Sequence, residues 1–229
     1  MDIYRTFHGP FPGCASYEPL LAIYRTALPA LPDTQELEDA SVEKLQERDS
    51  KMFFSRTEIQ KVLEENVVRD VLSCGCNRCN DRLEKNISEY EVLVRYVFNR
   101  ARILLAILIY LGHASWTNVF TNGGYGDENL DGLLSYIQNH SPAGLSPGFA
   151  RTFQSALNLF RPPIFAMGTP RFNYDEHQRF PYINDELCGV GSSGTVRRFE
   201  IHDDYLDKSL IEVASKYTQS EGSSVSFLI

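Results

Sequence analysis

Three cysteines fall within six residues in "SCGCNRCND": Cys74, Cys76 and Cys79. Thiolates at this spacing are soft ligands suited to tetrahedral zinc, and Gly75 is expected to let the chain turn around an ion. The fourth ligand is not given by the spacing. Cys14, His113, His140 and Cys188 are candidates, and Asp81 is nearer in sequence but a harder donor. The same cluster is also compatible with reduced, metal-free thiols and with a redox role. Zinc therefore enters as a candidate cofactor.

A second chemical signal is "DELCGVGSSGTVRRFEIH", where Gly189, Gly191 and Gly194 stand in G-x-G-x-x-G spacing around Ser192 and Ser193. A dinucleotide fold would need a helix directly after the third glycine, its N-terminus facing a pyrophosphate. Instead Val196, Phe199 and Ile201 follow in a β-prone run, so the glycines are expected to join two strands as a hairpin. This is the context of the loop that covers ATP phosphates in protein kinases. Side chains at the glycines would hold the backbone amides off the phosphates, and Val196 could pack on an adenine. An incidental glycine hairpin with no ligand is the alternative.

The remaining side chains narrow the chemistry. His8, His113, His140, His177 and His202 are scattered, with no zinc-protease motif or nucleophile elbow near them, so no catalytic histidine is assigned. A net charge of -8 and the lack of a basic stripe argue against a nucleic-acid partner. The nine apolar residues Ile103–Leu111 fall short of the about 20 that a bilayer span needs, so they read as a core helix and no membrane partner is expected. The first residues carry no signal-peptide pattern, and an intracellular, cytoplasmic or nuclear, setting without disulfides is the expectation.

The elements that would position these groups are mainly α. Periodicity from Ile59 to Leu72 predicts a helix with Thr57 as its N-cap and Gln60 three residues on, ending at Ser73 or Gly75. A longer helix is expected from Ser88 to Gly112, buried on nearly all sides. Two shorter helices, in "SWTNVFTN" and "NLDGLLSYIQ", should flank a flexible turn, "GGYGDE". Residues 1–140 are thus read as a small helical domain. Residues 141–180 are read as an aromatic and proline-rich connector lying along it, with one helix near Phe149–Leu159. Residues 181–229 carry the β-hairpin.

The stretch "RFPYINDELCGVGSSGTVRRFEIH" resembles the start of the catalytic domain in a family of fungal eukaryotic-type protein kinases. There an aromatic-proline step leads into an acidic turn, the glycine loop and a strand ending Ile-His. The likeness extends backwards to a helical extension with a C-x-C cluster, an apolar helix and an aromatic-proline connector, as in Cys74–Cys79, Ala101–Gly112 and Leu159–Phe172. Two residues depart from the family: Cys188 stands where Leu or Ile is usual, and Ser193 replaces an aromatic at the loop tip.

The resemblance implies an N-terminal regulatory or docking region, with a protein partner, joined to an incomplete kinase N-lobe that is truncated before its catalytic machinery. It implies weak ATP contact through Gly189, Gly191, Ser192, Ser193, Gly194 and Val196. Lys216, in "EVASK", is the one candidate for the third-strand lysine that pairs with the phosphates, the other reading being a solvated loop lysine. No catalytic residue is assigned, and these 229 residues are expected to be catalytically inactive. The alternative function is a free-standing, zinc-stabilised helical interaction module whose hairpin binds no nucleotide.

Overall fold

A computed structural model describes residues 13–28, 52–76, 87–140, 142, 144–166, 178–191, 194–217 and 226–228. The described residues are mostly helical, with two small antiparallel sheets. The chain divides into two units interleaved in sequence: a helical unit within Met1–Thr26 and Arg56–Phe160, and a sheet unit within Ala27–Ser55 and Arg161–Ile229. Among the described residues no helix is long and apolar enough to cross a membrane.

In chain order the elements are α1 (Tyr17–Arg25), β1 (Ala27–Leu28), β2 (Phe53–Phe54), α2 (Arg56–Val62), α3 (Glu65–Leu72), α4 (Ile87–Arg100) and α5 (Arg102–Tyr110). Then follow α6 (Thr117–Asn122), α7 (Leu130–His140), α8 (Phe149–Phe160), β3 (Tyr182–Gly191), β4 (Gly194–Ile201), α9 (Lys208–Tyr217) and β5 (Ser226–Leu228).

The helical unit is organised around α5. All eight residues from Ile103 to Tyr110 are buried, as a helix apolar on every side requires. Helices α1, α2, α4, α6 and α8 pack against it. Tyr110 meets the Tyr24 ring at 5.5 Å and the Phe160 ring at 5.4 Å, so aromatic contacts tie α1 and α8 to the same central helix.

Two expected helices are each divided in two. The expected helix from Thr57 is α2 and α3, beginning at Arg56, with Thr57 inside its first turn. Leu63 is fully buried and Glu64 is extended, with ψ at 163°. The Ser88–Gly112 helix breaks at Ala101, where φ is -143° and ψ is 29°. No glycine or proline marks either break. At Ala101 the cause is tertiary: Asp127, from the segment read as a flexible turn, accepts a 2.9 Å hydrogen bond from the Leu104 amide and so caps the first turn of α5.

Boundary 140/141 is also corrected. Helix α8 belongs to the helical unit, because its stripe of Phe149, Phe153, Ala156, Leu157 and Phe160 is buried and α8 packs on α5 and α7. The next described connector residues belong instead to the sheet unit. The Phe165 amide donates to the Tyr205 carbonyl at 2.7 Å, and the Asp207 amide donates to the Phe165 carbonyl at 2.8 Å. Residues 167–177 of the connector lie outside the described residues.

In the sheet unit β1 and β2 pair through Ala27 with Phe54 and Leu28 with Phe53. Phe53, Ile201, Tyr205 and Leu206 form a buried core, with Leu28, Phe165, Tyr182 and Leu210 packed against it. Two side chains pin β2 there: the Tyr205 hydroxyl donates to the Phe54 carbonyl at 2.7 Å, and the Ser55 hydroxyl donates to the Asp204 carboxylate at 2.6 Å. The larger sheet has the order β3-β4-β5, all neighbours antiparallel. The expected hairpin is therefore extended by a third strand, which covers the free edge of β4 through Phe199 opposite Phe227.

Candidate functional site

Cys14, Cys74 and Cys76 converge in the helical unit, their sulfur atoms all within 4.8 Å of one another. Gly13 precedes the first of them with φ at +98°, a conformation that favours glycine. The chain then turns through a 2.9 Å bond from the Tyr17 amide to the Cys14 carbonyl and enters α1. The other two thiols come from the end of α3. Ser73 closes that helix with its amide on the Arg69 carbonyl at 3.0 Å, and Cys74 is the next residue.

Gly75 behaves differently from expectation. It lacks a positive φ, and a Cβ there would meet nothing within 4 Å, so glycine is not required for the chain to pass between Cys74 and Cys76.

The sulfur environment is shielded from solvent and supplies amide donors. Cys14 and Cys74 are buried and Cys76 is half-buried. The Cys14 and Cys74 sulfurs are 3.8 Å apart, and the Ala15 amide donates to the Cys74 sulfur at 3.4 Å. Burial pushes the Cys14 thiol above its ordinary range, opposed by the Ser16 amide and reinforced by Cys76 and Cys74.

Of the expected metal residues, Cys74 and Cys76 are brought together, while Cys79 and Asp81 lie outside the described residues. Among the candidate fourth ligands Cys14 joins the group. His113 packs edge-on against Phe149, with ring centroids 4.9 Å apart. The His140 Nδ1 lies 3.0 Å from the Tyr136 carbonyl, and Cys188 is exposed on β3. No sequence spacing marks Cys14 over these others; it is 60 residues from Cys74 and is selected by packing.

The glycine-rich stretch forms the end of the β3–β4 hairpin. Gly189 pairs with Val196, Val190 with Thr195 and Gly191 with Gly194, with a register shift between Leu187 and Gly189. Ser192 and Ser193 lie outside the described residues. A Cβ at Gly189 would meet nothing within 4 Å, so this end of the hairpin is open to approach. Leu187, Val190 and Val196 are exposed. Glu186 and Arg198 form a 3.4 Å cross-strand ion pair, but both are exposed and it adds little stability.

Lys216 requires a correction. It falls in helix α9, whereas a third-strand lysine must lie on the strand beside the glycine hairpin. Its V-A-x-K context was local; the third strand, on the other edge of β4 from β3, is formed by Ser226–Leu228, further along the chain.

No family model, curated protein or solved structure matches the chain.

Proposed function

We propose that the chain joins a helical docking or regulatory unit to the opening strands of a protein-kinase-type nucleotide-binding sheet, whose glycine-rich turn covers the phosphates of ATP. The observation that carries this reading is the placement of G-x-G-x-x-G. Its last two glycines pair across the end of an antiparallel hairpin, and a strand, not a helix, follows them.

The order β3-β4-β5 supports the same reading, because a kinase N-lobe opens with three antiparallel strands; the support is the strand order alone, since Ser226–Leu228 carries no lysine. In this arrangement Gly189, Gly191 and Gly194 keep the backbone accessible to phosphate oxygens, and Val196 faces the base. Lys216 has no part in it.

The test is titration of the full chain with ATP in the presence and absence of magnesium, read by calorimetry, with Gly191→Asp as the comparison. Magnesium-dependent heat that the substitution abolishes supports the reading. Equal, featureless titrations of both proteins overturn it.

A second reading is favoured by the sulfur cluster: a helical interaction module, held by metal, that engages a protein partner and whose hairpin binds no nucleotide. It is the reading to adopt if ATP does not bind while the helical unit retains metal.

A further inference from the structure

The feature of the helical unit that packing alone leaves unused is the approach of three thiols from two distant parts of the chain. Sulfur atoms around a tetrahedral zinc, with bonds of about 2.3 Å, lie about 3.8 Å apart along each edge. The Cys14 to Cys74 separation is 3.8 Å, and Cys76 completes a triangle with no side longer than 4.8 Å. A disulfide would need its sulfurs at about 2.05 Å. Two neutral thiols sharing an S–H···S bond also stand 3.8 Å apart, so that distance alone does not select a metal; the third sulfur and the 3.4 Å donation from the Ala15 amide to the Cys74 sulfur, a contact that strengthens as the sulfur becomes a thiolate, are what favour one.

We propose that Cys14, Cys74 and Cys76 bind a single zinc ion that clamps the turn before α1 to the end of α3. The donor set is soft and anionic, which selects zinc over calcium or magnesium. Binding replaces the thiol protons, released to solvent, with three sulfur–zinc bonds. Tetrahedral zinc takes one more donor. Its ligands come from helix ends, two of them buried, and among the described residues no general base lies in the sulfur group, so the role assigned to the ion is structural.

The consequence for the fold is specific. Helix α1 is separated from α3 by many residues of sequence, and the ion ties the Gly13–Tyr17 turn directly to Cys74 and Cys76. Loss of zinc should therefore loosen α1 more than α5, which α2, α4, α6 and α8 also cover. This inference holds on either reading of the glycine hairpin.

The experiment is to purify the full chain without chelator, measure zinc by plasma mass spectrometry, and record the zinc-edge X-ray absorption spectrum. About one zinc per chain, in a shell of at least three sulfurs at about 2.3 Å, is the expected result. Cys14→Ser should lower zinc affinity by more than the about 10- to 100-fold that losing a mere supporting partner costs, whereas Cys188→Ser should leave it unchanged. Cys79→Ser identifies the fourth donor, because it lowers the sulfur count by one only if Cys79 supplies it.

Should Cys14→Ser fail to fold, cobalt substitution of the unmodified chain replaces it as the readout, the sulfur-to-cobalt charge-transfer intensity counting the thiolates. Folded protein that takes up neither zinc nor cobalt overturns the proposal. So does a Cys14–Cys74 disulfide in the intact mass, a nitrogen- or oxygen-dominated shell, or full zinc retention by Cys14→Ser. The ATP titration is independent of all these outcomes, so failure of the nucleotide reading and failure of the zinc site are separately visible.

Discussion

Asp127 accepts a hydrogen bond from the Leu104 amide at 2.9 Å, closing 23 residues of sequence and capping the most buried of the described helices from outside it. The Ile103 and Arg102 amides also favour its charged form, but burial outweighs them and pushes the carboxyl above the usual range. The cap is thus held at an electrostatic cost.

A pH dependence follows. Between the ordinary carboxylate range and the raised value in the fold, the native state binds more protons at Asp127 than the unfolded chain does. This group's contribution to stability is complete at low pH and is lost as pH rises through its folded value. Asp127→Asn keeps an acceptor oxygen and removes the titration. The stability of the Asn protein relative to the parent should therefore rise with pH across that window and then level off, measured by urea unfolding at a series of pH values. Asp127→Ala, which removes the cap, should cost about 1 kcal/mol.

Gly126 precedes this cap, and a Cβ there would stand 2.6 Å from the Arg100 carbonyl oxygen and 3.3 Å from the Tyr96 hydroxyl. Backbone cannot yield as a flexible side chain would. We expect Gly126→Ala to destabilise the helical unit by about 1–3 kcal/mol, seen as a lower urea midpoint with an unchanged slope. A midpoint within error of the parent would show that the contact relaxes without cost.

The two glycines beside the thiols should behave oppositely. Gly13→Ala forces a side chain into φ of +98° and should cost about 1–2 kcal/mol, with weaker zinc retention if that turn presents Cys14. Gly75→Ala meets no atom within 4 Å and should fall within about 0.5 kcal/mol of the parent. Thermal unfolding of the pair, with zinc content measured in parallel, checks both.

On the kinase-type reading Gly189, Gly191 and Gly194 cover phosphates without supplying a base or a magnesium ligand. We expect ATP binding no tighter than about 1 mM and no γ-phosphate transfer above a contaminant control. Transfer that Gly191→Asp abolishes would place catalytic groups among residues read here as structural.

Much of the helical unit was legible because Ile103–Leu111 is apolar on every face, and such a run has one stable location in a folded chain. The hairpin was legible from Val196, Phe199 and Ile201 after the glycines. The break at Ala101 was not, since alanine is the best helix former and the cap that ends the regular ladder arrives from Asp127. Cys14 was only one of several candidates for the same reason: its partnership with Cys74 depends on how α1 and α3 pack, which no local spacing encodes. Lys216 misled because its neighbours imitate a strand motif while the residues around it form a helix.

The burial of Phe53 in the sheet unit also constrains the order of events during synthesis. Its core partners Ile201, Tyr205 and Leu206, and the Tyr205 hydroxyl that meets Phe54 across 151 residues, leave the ribosome long after Phe53 itself. The whole span Arg56–Phe160 of the helical unit emerges in between. Helices can therefore assemble while two adjacent phenylalanines still wait for their partners, an interval in which a nascent chain is prone to association through exposed apolar residues. A shortened chain ending before Ile201 would extend that interval indefinitely.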